Sequence, residues 1–234
     1  MAGINRILYR IINKIKREVG IDYKKSYSQC GEDLIMQHIF NALNIQTPTY
    51  LDIGAHHPSF LNNTKLFYDN GSSGVNIEPD PSLITAFWKK RPRDINLNIG
   101  IGDKTDVLPF YVMSVPTLNT FSEEEAKTIE HGGNIKIKQV INMSILDVND
   151  ILKNYFSLPP DLISIDVEGL DLAILRNLDF SLYRPKVICV ETITFSEIRQ
   201  GKKITEIASL MEYNGYFSYA DTNINTIFVD RQIW

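Results

Sequence analysis

Four carboxylates stand at or near the ends of short apolar runs: Asp52 in YLDIGAHHP, Glu78 in VNIEPD, Asp166 in LISIDVEG and Glu191 in VICVE. In an open α/β sheet the ligand site lies beyond the carboxyl ends of the strands, so these acids are the first candidates for chemistry. A carboxylate after a second strand accepts two hydrogen bonds from a vicinal diol such as ribose, which suits Glu78. After the first strand a single glycine, Gly54, lets backbone approach a ligand where a dinucleotide fingerprint needs three. Asp166, Glu168 and Glu191 would converge at one mouth, and three acids held together call for a cation, with hard oxygen donors favouring Mg²⁺ or another divalent ion. The alternative is that Glu168 caps the following helix and Asp166 orients a substrate. His56 and His57 offer a general base in the same mouth, or a structural hydrogen bond. Glu32, with Gln29 and Asp33, suits a helix N-terminus first and a substrate contact second. The pairs Asn63-Thr64 and Asn119-Thr120 suit either sugar hydroxyls or turn and cap chemistry.

The elements that must position these groups alternate. Apolar strands are predicted at Tyr50–Ile53, Val75–Glu78 and Ile95–Ile99, with helices around Phe60–Tyr68 and at Pro81–Lys90, the latter opened by a proline where no N–H is needed. The second half repeats the pattern: helix Asp147–Phe156, strand Leu162–Asp166, helix Leu170–Leu178, strand Val187–Glu191, helix Ile204–Tyr213. Two strands then close the chain, Tyr216–Tyr219 and Thr226–Val229, near enough to pair antiparallel. Strands separated by helix-length segments imply parallel βαβ units. The stretch from Val107 to Ile141 reads as irregular and polar, a cover over the site.

With 234 residues, 44% hydrophobic, the chain can bury one substantial core. A net charge of −4 argues against a nucleic-acid partner. Two distant cysteines, Cys30 and Cys189, indicate neither a disulfide framework nor a zinc site and fit a reducing cytoplasm. No apolar run reaches membrane-spanning length. Ile4, Ile7, Leu8, Ile11, Ile12, Ile15 and Val19 follow helical spacing, with Arg6, Arg10, Lys14 and Arg17 on another face. This basic amphipathic helix suits packing on the domain or a second subunit, or peripheral contact with an anionic membrane.

The motifs SQCGED (28–33), YLDIGAHHP (50–58), NNTKLFYDNGSSGVNIEPD (62–80), NIGIGDK (98–104), TLNTFS (117–122) and ISIDVEGLDLAILR (163–176) resemble those of the FkbM-type methyltransferases, within the class I S-adenosylmethionine-dependent superfamily. The resemblance implies a Rossmann-like class I methyltransferase fold, with a mostly parallel seven-stranded sheet, an antiparallel terminal strand and helices on both faces. An N-terminal helical appendage over 1–45 would precede a methyltransferase domain over 46–234. Carried over residue by residue, it places the methionine part of S-adenosylmethionine over Asp52, Gly54 and Ala55 and the ribose on Glu78. The adenine would lie near Ile77, Pro79 and the loop Ile99–Asp103, which includes Gly102 and Asp103. It implies an acceptor hydroxyl on a sugar, glycan or related natural product, and the ion suggested by the converging Asp166, Glu168 and Glu191 would be placed to activate that hydroxyl. A nicotinamide-dependent oxidoreductase shares the βαβ core but would need the missing glycine fingerprint. A non-catalytic interaction module would have no use for the four strand-end acids.

Overall fold

The computed structural model describes residues 24–167, 169–194 and 201–234. Glu168 and the basic N-terminal helix expected from the sequence lie outside the described residues.

In chain order the first half comprises α1 (Glu32–Ala42), β1 (Tyr50–Ile53), α2 (Lys65–Asp69), β2 (Gly74–Ile77), α3 (Pro81–Lys90), β3 (Ile95–Leu97) and β4 (Gly100–Gly102). An intervening unit follows: β5 (Asp106–Met113), α4 (Glu123–His131) and β6 (Ile137–Asp147). The second half is α5 (Val148–Tyr155), β7 (Leu162–Ile165), α6 (Asp171–Asn177), β8 (Val187–Glu191), α7 (Thr205–Tyr213), β9 (Tyr216–Asp221) and β10 (Asn225–Asp230). The main sheet has seven strands in the order β3-β2-β1-β7-β8-β10-β9. All pair in parallel except β10, which is antiparallel to both β8 and β9. This is the expected Rossmann-like sheet with its antiparallel terminal strand, and the order reverses beside β1, where ligand crevices form.

Strand alternation sends side chains to two cores. Leu51, Ile53, Ile163, Ile165, Ile188 and Val190 meet α5, α6 and α7 on one face. Tyr50, Leu162, Val187, Cys189 and Ile227 meet Met36, Ile39 and Phe40 of α1 and Phe67 of α2 on the other. Parallel strands covered on both faces read as continuous apolar runs, which made them visible in the sequence. The segment 24–45, assigned from sequence to an N-terminal appendage, thus supplies core residues through α1.

Three expectations are corrected. The strand expected over Ile95–Ile99 stops at Leu97, and the chain then joins a second sheet, β4-β6-β5. Gly100 makes that exit feasible, because a Cβ there would lie 2.5 Å from the Phe121 ring and 2.5 Å from Ile145. The helix expected around Phe60–Tyr68 is only the short α2, because the preceding segment is bent into a loop by left-handed backbone at His56 and Leu61. The stretch from Val107 to Ile141 is ordered: β5 and β6 pair antiparallel from Asp106↔Ile145 to Met113↔Ile137 around α4.

Candidate active site

The carboxyl ends of β1, β2, β7 and β8 open into a cleft of about 930 Å³ out to its solvent mouth. Gly54, His56, Glu78, Pro79, Asp166 and Glu191 form its floor and rim, while Phe110, Pro116, Thr117, Asn119 and Phe121 of the inserted unit wall one side. The corrected 107–141 region therefore does cover the site, as a small sheet and its loop.

Backbone contact between the two halves sets the floor. Asp166 N donates to Ile53 O at 3.0 Å, and both Gly54 N and Ala55 N donate to Ile77 O at 3.0 Å. Gly54 has φ +77°, and a Cβ there would lie 1.8 Å from the Asp166 carbonyl oxygen. Only glycine permits this approach.

Glu78 is buried, yet its carboxylate is built into the rim. His56 N donates to Oε2 and Asp80 N to Oε1, each at 2.8 Å. Burial pushes the Glu78 carboxyl up to about 8, against the pull of these two amides. Each oxygen keeps a lone pair for a further donor. Asn98 Nδ2 donates to the carbonyls of Glu78 and Pro79 at 2.9 Å, fixing the loop after β2 to the end of β3. Asp80 caps α3 through Ser82 N and also takes Asn119 Nδ2 at 2.9 Å, tying the insertion to this rim.

Asp166 follows β7 at the cleft wall. Asp171 shapes its loop by accepting from Val167 N and Gly169 N, both at 3.2 Å. Burial, reinforced by the charges of Asp171, Asp52 and Glu32, pushes the Asp166 carboxyl up to about 7. His56 lines the cleft, and burial together with His57 holds its imidazole below the usual range. His57 turns elsewhere: its Nδ1 accepts from Ser59 N at 3.2 Å, so the proton sits on Nε2.

Several other sequence candidates stand behind the cleft wall. Asp52, expected at the methionine part of the cofactor, is buried beneath the loop after β1 and is not among the residues that line the cleft. There it accepts from Thr64 Oγ1 at 2.7 Å and Asn62 Nδ2 at 3.1 Å, holding down the loop after β1. Ala55 packs on Ile84 and Phe87. Thr64 and Thr120 are buried in this loop network and against Glu125. Gly102 pairs with Asp147 in the second sheet, and Asp103 is exposed beyond it, so neither reaches the cleft. Asn63, Asn119 and Glu191 do line it, and Glu32 lies buried directly behind Asn225. Among the described residues no group of three or more His, Cys, Asp or Glu is arranged to hold a metal ion.

Sequence reasoning missed Phe110, Phe121 and Asn225, all cleft-lining. TLNTFS was a usable signal for Phe121; Phe110 sits in a strand interrupted by Pro109 and Asn225 in an antiparallel pairing, neither marked by a motif. The buried Arg91 was also missed. Its guanidinium binds Asp94, Tyr50 and Thr64 at 2.8, 2.8 and 3.0 Å, and so braces the loop that carries the cleft.

The family model for the methyltransferase FkbM domain matches residues 52–218. A search among curated proteins finds no match. Among solved structures, the chain is similar to a TehB-like SAM-dependent methyltransferase from Corynebacterium glutamicum, at 12% identity and TM-score 0.43, covering 97% of this chain and 99% of that one. An O-methyltransferase from Bacillus cereus in complex with SAH shares 11% identity at TM-score 0.42, covering 94% and 87%. The 1,6-didemethyltoxoflavin-N1-methyltransferase of Burkholderia thailandensis, with its substrate and S-adenosylhomocysteine bound, shares 10% at 0.42, covering 97% and 86%.

Proposed function

The chain belongs to the FkbM methyltransferase family of S-adenosylmethionine-dependent enzymes, and from that premise we propose that it methylates a hydroxyl of a sugar, glycan or related polyol in the cleft beyond β1 and β7. The observation that carries this reading is Asp166. It is a carboxylate on the cleft wall whose burial brings it to about 7, where a general base is most effective at neutral pH.

The cleft fits the cofactor by its own chemistry. Glu78 can accept the two ribose hydroxyls with lone pairs not used by His56 N and Asp80 N. The side-chain-free floor at Gly54 leaves room for close approach, and Pro79 and Phe121 supply apolar surface for a flat base. S-adenosylmethionine, when bound, supplies an electrophilic methyl group on a sulfonium. Asp166 then takes the proton of the acceptor hydroxyl as that oxygen becomes nucleophilic. His56, kept neutral by burial, is a second proton acceptor on the same rim. The loop Pro116–Asn119, tethered to Asp80, shields the site from water, which would compete as acceptor. A divalent ion at Asp166, Glu168 and Glu191 would serve the same hydroxyl by lowering its pKa, and a chelator separates the two routes.

The deciding experiment is calorimetric titration of S-adenosylhomocysteine into the purified protein, with Mg²⁺ or with EDTA, beside Glu78→Ala. Binding that the substitution removes supports the reading. Absence of binding under every condition rejects it, and turnover abolished by EDTA assigns the hydroxyl to a metal instead of Asp166.

A further inference from the structure

Asn225 lines the cleft at the start of β10, opposite Glu191 of β8 and three strands along the sheet from β1. It is 2% exposed, and its carbonyl Oδ1 has no hydrogen-bond partner although it is buried. A buried amide oxygen without a partner gives up its hydration for nothing in return, which makes one on the cleft lining a candidate for a ligand's donor.

The amide cannot turn over to relieve this. Its Nδ2 donates to Glu32 Oε1 at 3.1 Å, and Thr222 Oγ1 donates to the same oxygen at 2.8 Å. Cys30 N fills the other oxygen at 2.8 Å. Burial alone would raise the Glu32 carboxyl, but these donors outweigh it and hold the group below its usual range, ionised at neutral pH. An ionised carboxylate only accepts, so it fixes the NH₂ of Asn225 toward itself and the C=O away.

We propose that Asn225, positioned by Glu32, is a specificity-determining residue that takes a hydrogen bond from a second donor of the acceptor, beside the hydroxyl that is methylated. This rests on the methyltransferase reading and narrows its substrate class. The acceptor carries a neighbouring hydroxyl or ammonium and no carboxylate or phosphate at that position. An anion there would face the Oδ1 lone pairs with the Glu32 charge directly behind them. A site built around one hydrogen bond rejects analogues that cannot make it, because its own buried group is then left unpaired.

The test uses the S-adenosylhomocysteine-loaded protein and three probes, the methyl glycosides of galactose, galactosamine and galacturonic acid, with affinities from ligand-observed NMR. Wild type binds the neutral and amino glycosides about tenfold or more tighter than the uronate. Asn225→Leu weakens the neutral glycoside about tenfold while leaving S-adenosylhomocysteine affinity unchanged within about twofold. Glu32→Gln removes the charge and lets the amide turn, and narrows the uronate gap to about threefold or less. A change of rank order is something mere destabilisation does not produce. An Asn225→Leu protein that binds the neutral glycoside as wild type does, a wild type that prefers the uronate, or no glycoside binding at all overturns the proposal. Failure of wild type to bind S-adenosylhomocysteine appears at the first titration and overturns the underlying reading with it.

Discussion

Arg91 and Asp94 form an ion pair, Nε to Oδ2 at 2.8 Å, in which neither side chain is exposed to any measurable degree. Asp94 also accepts from Tyr50 Oη, Gly74 N and Asn76 Nδ2, and Arg91 donates to Asn62 and Thr64, the two residues that hold Asp52. One buried cation thereby links β1, β2 and the loop that forms the cleft rim. Removing one partner leaves a charge without compensation, which costs about 3–5 kcal/mol. Arg91→Ala is therefore expected to lower the unfolding free energy by about that amount in urea, and Arg91→Lys, lacking the fork that reaches several acceptors, recovers only part of it.

Gly54→Ala is expected to be more local and more damaging to binding than to folding. The added methyl would meet the Asp166 carbonyl at 1.8 Å, at a backbone φ of +77° that side chains rarely adopt. The β1 and β7 ends must separate to admit it. Titration with S-adenosylhomocysteine should show affinity lost by more than about tenfold, and retained affinity would mean the floor is not part of the cofactor site.

Glu78 makes cofactor binding pH-dependent. Burial holds it at about 8 in the empty cleft, so at pH 7 most molecules carry it protonated. Accepting two hydroxyl donors favours the ionised form, and binding must then release a proton. Affinity for S-adenosylhomocysteine should rise between pH 6.5 and 8, on the order of tenfold per unit at most, and level above 8. The binding enthalpy at pH 7 should vary with the ionisation heat of the buffer, and Glu78→Gln should abolish both effects.

Asp166 sets activity against stability. Its folded value of about 7 exceeds its ordinary 3.8, so between these limits the native state holds a proton that the unfolded chain has lost. The stabilisation this gives is complete below 3.8 and is lost as pH rises through about 7. Asp166→Asn has no such loss. The variant should match wild type near pH 4 and be the more stable protein at pH 8 in denaturant titrations, while turnover falls by about 10²-fold or more.

How much of this was readable in the sequence depended on how local each cause is. The strand at Val187–Glu191 is an uninterrupted apolar run, and Pro81 marks the start of α3, so such elements announced themselves. Strand β5 did not, because Pro109 breaks its pattern and its partner β6 lies beyond α4. Among site residues, Glu78 and Asp166 carried the signal of position after a strand. Arg91 closes a Lys-Lys-Arg run that looks solvated, and its partners Tyr50, Asn62, Thr64 and Asp94 come together only in the folded chain. The partners of Asp52 were hidden in the same way, since Asn62 and Thr64 reach its carboxylate only once the loop after β1 has folded back over it.

The central position of β1 also has a consequence for the order of events during synthesis. Its two neighbours are β2 and β7, and Thr49 at its threshold donates to Asp161, 112 residues further on. A nascent chain that has completed only its first half can pair β1 with β2 but leaves its β7 side open. Such non-local closure is slow and exposes sticky surface while it is pending. The cleft draws its walls from both halves, so a chain that stops before β7 lacks Asp166 and the floor contact between Gly54 and the Asp166 carbonyl.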